Sequence, residues 1–168
     1  MRLVFKTFIL GMGISAGLQA FSTGPPIMRT GGALLSRALA AVVAAVKPGV
    51  TTEQLDAIAR QVMKDGGGEP SFLGYKTRRS DTPYPGALCT SINEVVVHAP
   101  PVPPVVLQDG DIIGLDIGVR YQGYCTDMAV TVPVGTCSKA DKKLLAVTRE
   151  SLMRGLAEIA PGKKIQDI

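Results

Sequence analysis

The chain has 168 residues, a net charge of +4 and a pI near 9.1. With 46% hydrophobic and 19% charged residues it has enough apolar material for a packed core and does not read as disordered. Lys and Arg are scattered, their densest group (Lys76, Arg78, Arg79) reads as a solvated loop, and four Tyr, four Phe and no Trp give no base-stacking platform, so no specific nucleic-acid partner is expected.

Met1 to Lys6 is basic and Thr7 to Phe21 is largely apolar, in the manner of a signal peptide with Ala20 as its cleavage residue. The apolar run is short for a membrane span and holds three glycines. The favoured reading of residues 1–26 is an atypical extension, packed on the domain or disordered, with a cytoplasmic location; export is the weaker reading. Gly24-Pro25-Pro26 makes the first break. Ile27 to Val46 then reads as a helix, with Leu34, Leu35, Ala38, Leu39, Val42, Val43 and Val46 at helical spacing. Lys47-Pro48-Gly49 stops it. Thr51 and Gln54 have capping-box spacing, which predicts a second helix from Thr52 to Lys64 with Leu55, Ile58, Ala59 and Val62 as its apolar stripe.

After Gly66-Gly67-Gly68, residues 70–85 read as a loop, and Ala87 to His98 as a strand interrupted near Asn93-Glu94. Pro100, Pro101, Pro103 and Pro104 stiffen the next loop. Asp111 to Val119 and Tyr124 to Val134 then read as a hairpin, and Ser138 to Ile159 as a long helix capped by Ser138. Its expected stripe is Leu144, Leu145, Thr148, Leu152, Leu156 and Ile159. Leu39 with Leu152 and Pro48 with Pro161 share one offset, as though a second copy of the opening helix–turn–helix begins at Val147 and stops at Ile168. Chance likeness of two helix ends stays open, because Pro and Gly commonly follow helices. Three cysteines, Cys89, Cys125 and Cys137, are odd in number and widely spaced. That argues against a disulfide framework and fits a reducing compartment.

The hairpin holds the chemistry. Side chains alternate faces along a strand, so Ile113, Leu115, Ile117 and Val119 share one face with Thr126, Met128, Val130 and Val132 of the second strand. Asp116 and Asp127 fall on the other face, among Gly114, Gly118 and Ala129. If the turn centres on Tyr121-Gln122, the two aspartates are directly opposed, about 4.5–5.5 Å apart at Cβ. A turn centred on Gln122-Gly123 would shift that register. Two close carboxylates repel, and a divalent cation between them removes the conflict. Oxygen ligands suit manganese, iron(II) or cobalt, with zinc also admissible. Read blandly, both aspartates are exposed hairpin residues, although Asp is disfavoured in strands. His98, the sole histidine, stands at a strand end beside the proline loop. A lone His is more often structural than catalytic.

Tyr84-Pro85-Gly86-Ala87-Leu88-Cys89-Thr90-Ser91-Ile92-Asn93-Glu94-Val95-Val96-Val97-His98 resembles the central motif of type I methionine aminopeptidases. Asp109 to Asp116 and Gly123 to Asp127 continue the resemblance, which runs from about Ile27 to the end. It implies an α/β pita-bread fold, here the first pseudo-symmetric half over residues 27–168, with a curved antiparallel sheet and flanking helices. It implies removal of the initiator methionine from nascent polypeptides by a metal-activated water, with two divalent metal ions, in a monomer that can work at the ribosome. Asp116 and Asp127 would be metal ligands, and His98 would contact substrate near the scissile bond. Phe72, Tyr75, Tyr84 and Cys89 would form the methionine side-chain pocket, with Phe72 where many relatives carry Cys.

The departures are specific. The resemblance places one His and two Glu ligands and a second substrate-binding His in a second half, beyond Ile168, so the 168-residue chain alone is expected to be inactive. Thr77 to Thr82 reads as an insertion, and His98 precedes Ala-Pro-Pro in place of Gly-x-Pro. Two other readings stand beside this one. One is a related pita-bread hydrolase specific for proline peptides. The other is a non-catalytic half-domain that binds a partner through an exposed apolar surface.

Overall fold

The computed structural model describes residues 5–6, 26–76 and 82–168. The rest of the signal-like extension and most of the expected insertion at Thr77 to Thr82 lie outside the described residues. In chain order the elements are β1 (Phe5–Lys6), α1 (Pro26–Ala45), α2 (Thr52–Asp65), β2 (Glu69–Pro70), β3 (Leu88–Ile92), β4 (Ile112–Tyr121), β5 (Tyr124–Pro133) and α3 (Lys139–Ala157), with a short 3-10 turn at Ile165–Asp167.

The two expected opening helices form within a residue or so of their predicted bounds. α1 is long and apolar enough to cross a membrane by length and composition, but its apolar stripe is spent on the sheet. Leu34, Leu35, Ala38, Leu39 and Val42 are buried there. α2 opens on the capping box: Thr51 Oγ1 accepts the Gln54 N–H, and Gln54 Oε1 accepts the Thr51 N–H. Its buried face differs from the expected stripe. Leu55 and Ala59 are buried, but so are Thr52, Asp56 and Met63, while Ile58 and Val62 are only partly covered. The helix is rotated toward a polar ladder that periodicity of apolar residues cannot register.

β4 is the centre of the sheet. It pairs antiparallel with β5 along its full length, and its other edge is shared by β3 and, further along, β2. β1 pairs parallel with β5. Ile113, Leu115, Ile117 and Val119 are sealed from solvent and meet α1 and α2, as the alternation predicted. Each such aliphatic side chain contributes about 1.5–3 kcal/mol on burial. The helices therefore occupy one face of the sheet and leave the opposite face for the polar row.

Two expectations need correction. β3 ends at Ile92 and does not reach His98. Asn93 turns into the left-handed region at φ 52°, where its side chain pairs with Asp111 and with the Ile112 N–H, so the chain leaves the sheet there. The hairpin turn centres on Gln122-Gly123, with φ of 46° and 85°. Positive φ at both central residues is the backbone of a tight hairpin turn whose twist matches its strands. Asp127 then faces Gly118 and Asp116 faces Ala129. The directly opposed register is thereby excluded.

Candidate metal and substrate site

The polar face of the sheet is built from two adjacent cross-strand rows. In the first, Cys89 of β3, Asp116 of β4 and Ala129 of β5 lie side by side. In the second, Gly118 faces Asp127. The aspartates are diagonal neighbours, a separation of about 7–8 Å for backbone positions on one face. Both are half-buried, and Oδ1 of Asp116 is shielded from solvent. A diagonal pair leaves more room between the carboxylates than an opposed pair would. The donors are hard carboxylate oxygens, the chemistry that divalent first-row cations accept. These two residues fit one side of a metal centre. Among the described residues, no three His, Cys, Asp or Glu side chains converge to complete it.

Gly118 lets Ser71 and Phe72 pack directly onto this face. A Cβ there would collide with Ser71 Oγ and come within 3.0 Å of the Phe72 ring. Ser71 is held over it by its N–H to the Gly118 carbonyl, 3.0 Å. Phe72 therefore lies beside the aspartate face, and its ring meets Tyr84 edge-on at 6.4 Å between centroids. The Tyr84 hydroxyl lies 3.1 Å from Cys89 Sγ, 3.1 Å from the Ala99 carbonyl oxygen and 3.2 Å from that of Leu88. Phe72, Tyr84, Cys89, Asp116 and Asp127 are thus one neighbourhood.

Both ionisable pocket walls are held neutral. Burial pushes the Tyr84 phenol far above its ordinary value, helped by its hydrogen bond to Cys89, by the cost of ionising beside that thiol, and by the nearby carboxylates of Asp56 and Asp116. Burial also pushes the Cys89 thiol up; its contact with Tyr84 works the other way, and Asp116, Asp127 and Asp56 add to the rise. At neutral pH the pocket presents a thiol and a phenol beside the carboxylates.

The remaining expected residues stand further out. Tyr75 is attached to the pocket through its backbone, with its N–H on the Phe72 carbonyl and its carbonyl accepting the Tyr84 N–H, but its side chain is exposed. His98 is exposed in a loop at φ 63°. Only its neighbour Ala99 touches the pocket, through the carbonyl near the Tyr84 hydroxyl. Sequence reasoning missed Asp56, a buried carboxylate on α2 that accepts the Ala87 and Leu88 N–H groups at 2.6 and 2.9 Å. Its signal was faint: a single Asp between Leu55 and Ala59, on a face already assigned to the core.

Comparison with known proteins gives concordant results. The model of "Metallopeptidase family M24" matches residues 26–168. A methionine aminopeptidase of Aquifex aeolicus is 43% identical over 141 residues, which covers 84% of this chain and 55% of the relative. Methionine aminopeptidase 1 of Bacillus subtilis is 44% identical over 142 residues, covering 84% and 54%. The crystal structure of methionine aminopeptidase from Thermotoga maritima superposes with a TM-score of 0.76 at 34% identity, over 83% of this chain and 55% of that one. The chain spans about half the length of the relatives it matches, and its helix-backed antiparallel sheet is that of the pita-bread fold.

Proposed function

The chain belongs to metallopeptidase family M24, and on that premise we propose that it supplies the metal-anchoring and side-chain-recognising half of an aminopeptidase that removes N-terminal methionine from newly made proteins. The observation that carries this reading is the meeting of Asp116 and Asp127 with the Phe72, Tyr84 and Cys89 pocket on one open sheet face. Carboxylate oxygens for a metal lie next to a small neutral cavity wall. That juxtaposition is what an enzyme needs to hold an N-terminal side chain and present the following peptide bond.

In this reading Asp116 and Asp127 hold two divalent ions, with cobalt, manganese, iron or zinc as candidates. When bound, the metal supplies a Lewis acid that activates water for peptide hydrolysis. The protein's own groups do the rest. Tyr84 and Cys89, both neutral, favour an uncharged side chain, and the Phe72 and Tyr84 rings offer aromatic contacts that a thioether finds favourable. Tyr75 stands at the rim. His98, on its exposed loop, orients the substrate backbone as it enters. Free Cys89, Cys125 and Cys137 fit the reducing cytoplasm, where in this reading a monomer acts on nascent chains at the ribosome.

The test is hydrolysis of Met-Ala-Ser by the natural gene product, including any coding sequence that follows codon 168, with added manganese or cobalt. The expected result is metal-dependent release of methionine that is lost in Asp127→Asn. Faster cleavage of Ala-Pro peptides would overturn the methionine reading in favour of a proline-specific enzyme. Metal binding with no peptide cleavage would favour a binding module. The 168-residue chain alone is expected to release no methionine.

A further inference from the structure

The side of α2 that faces the pocket loops carries three polar residues at i, i+4 and i+8: Thr52, Asp56 and Arg60. That spacing aligns them along one stripe of the helix. Apart from the Asp56–Arg60 pair within the helix, their side-chain hydrogen bonds leave α2 for the segments on either side of β3 and for its first residue, Leu88. Thr52 Oγ1 donates to the Pro101 carbonyl at 2.6 Å and accepts the Val105 N–H at 3.0 Å. Asp56 Oδ1 accepts both the Ala87 and Leu88 N–H groups, and its Oδ2 accepts Arg60 Nε–H at 2.5 Å. Arg60 Nη2–H reaches on to the Pro85 carbonyl at 2.7 Å.

The tied residues bracket the pocket walls. Pro85, Ala87 and Leu88 are three of the four residues between Tyr84 and Cys89. Pro101 and Val105 lie beyond Ala99, whose carbonyl stands by the Tyr84 hydroxyl. Loops of this kind lack a ladder of their own, so their placement depends on such anchors. Asp56 is nearly sealed, with its side chain 6% exposed, while that of Arg60 is 38% exposed. A buried carboxylate is tolerated only with its bonds complete, which makes the three residues one unit.

We propose that Thr52, Asp56 and Arg60 are positioning residues that set the width of the Tyr84–Cys89 pocket, so that α2 governs which N-terminal side chain is accepted. This rests on the aminopeptidase reading for its substrate and on the hydrogen-bond geometry for its existence. Arg60 contributes a fork: one arm neutralises Asp56 and the other holds Pro85. A lysine has three N–H donors but all on one nitrogen, without the spread between Nε and Nη2 that serves the two acceptors here.

Arg60→Lys is the informative variant, since Asp56→Ala would leave two buried N–H groups bare and threaten folding. Asp56→Asn is the second, because it keeps an oxygen for Ala87 and Leu88 but turns an amide N–H toward Arg60. The first measurement uses the 168-residue chain and no turnover: iodoacetamide labelling of Cys89, read by peptide mass spectrometry, with buried Cys137 as the control for global unfolding. The expected result in both variants is labelling of Cys89 about tenfold faster, the loss of one charge-assisted hydrogen bond, with Cys137 unchanged. An unchanged Cys89 rate, or an equal rise at both cysteines, would overturn the proposal. The second uses the natural gene product: Arg60→Lys should raise KM for Met-Ala-Ser about tenfold at nearly constant kcat and narrow the preference for methionine over leucine. A fall in kcat at constant KM and constant preference would overturn the pocket assignment. A wild-type product that releases no methionine counts against the proposed function, and the Cys89 rate still decides whether the clamp exists.

Discussion

Helices α1 and α3 both carry apolar residues at helical spacing, with Leu39 and Leu152 on one offset, and they meet opposite fates. α1 buries Gly31, Gly32, Leu34, Leu35, Ala38, Leu39 and Val42 under the sheet. α3 buries no residue, and Leu144 and Val147 stand more than half exposed. The difference teaches that periodicity records a demand for a partner surface, and only the sheet decides which helix has that demand met. α1 is held by packing. α3 touches β5 and half-buries Leu145, Leu152 and Leu156, and it adds local devices: the Ser138 cap on the Asp141 N–H and the Glu150–Arg154 pair.

Four experiments would break or sharpen that contrast in the 168-residue chain. The largest effect is expected from truncation in the two helices. Leu35→Ala should cost about 3 kcal/mol of unfolding free energy, because Leu35 is fully sealed in the core. Leu144→Ala, at a side chain more than half exposed, should stay within about 0.5 kcal/mol. Similar shifts of the urea midpoint for both would erase the distinction.

Next in size is the response of the packed region to alkali. Tyr84 and Cys89 are raised in the folded chain, so the folded state binds their protons more tightly than the unfolded one. That stability is full below the unfolded values of 9.0 for Cys and 10.0 for Tyr, and it is lost as pH climbs through the raised folded values. The melting temperature should fall from pH 9 upward, and the double variant Tyr84→Phe, Cys89→Ala should flatten the fall. Parallel slopes for the two proteins would remove the pocket from the account.

A smaller effect separates the helix caps. Thr51→Ala should cost about 1 kcal/mol of global stability, because α2 belongs to the core unit. Ser138→Ala should leave the urea midpoint in place and speed amide exchange at the start of α3. A global loss from Ser138→Ala would mean that α3 unfolds together with the core. The smallest effect is Glu150→Gln. Both partners of that ion pair are largely exposed, so helix content should change by no more than about 0.3 kcal/mol allows, and only at low salt.

Much of this was legible from the residues. The helices, the hairpin, the capping box and the division of the hairpin into an aliphatic and an acidic face follow from period and propensity, which act locally. The aspartate register was less accessible, because Tyr121-Gln122 and Gln122-Gly123 differ by a single position and only turn geometry separates them. β3 was read too long because Val95 to Val97 have strand-forming side chains, while the backbone at Asn93 had already turned away. Asp56 was hidden for a different reason. Its value depends on N–H groups about thirty residues away in sequence, and no local pattern encodes a long-range acceptor. Tyr75 and His98 matched a motif, but their exposure depends on how two irregular loops lie.

The Gln122-Gly123 turn has one more consequence. Because side chains along a strand alternate faces, inserting or deleting one residue between Tyr121 and Tyr124 would invert all of β5 relative to β4. Asp127 would be driven toward the helices, and Thr126 and Met128 toward the open face. Substitutions in the turn would meet only the modest cost of an unfavourable φ. A change of length there, a frame of three nucleotides, would exchange the wet and dry sides of a ten-residue strand at a stroke. In genetic terms, this turn must conserve its count more strictly than its letters.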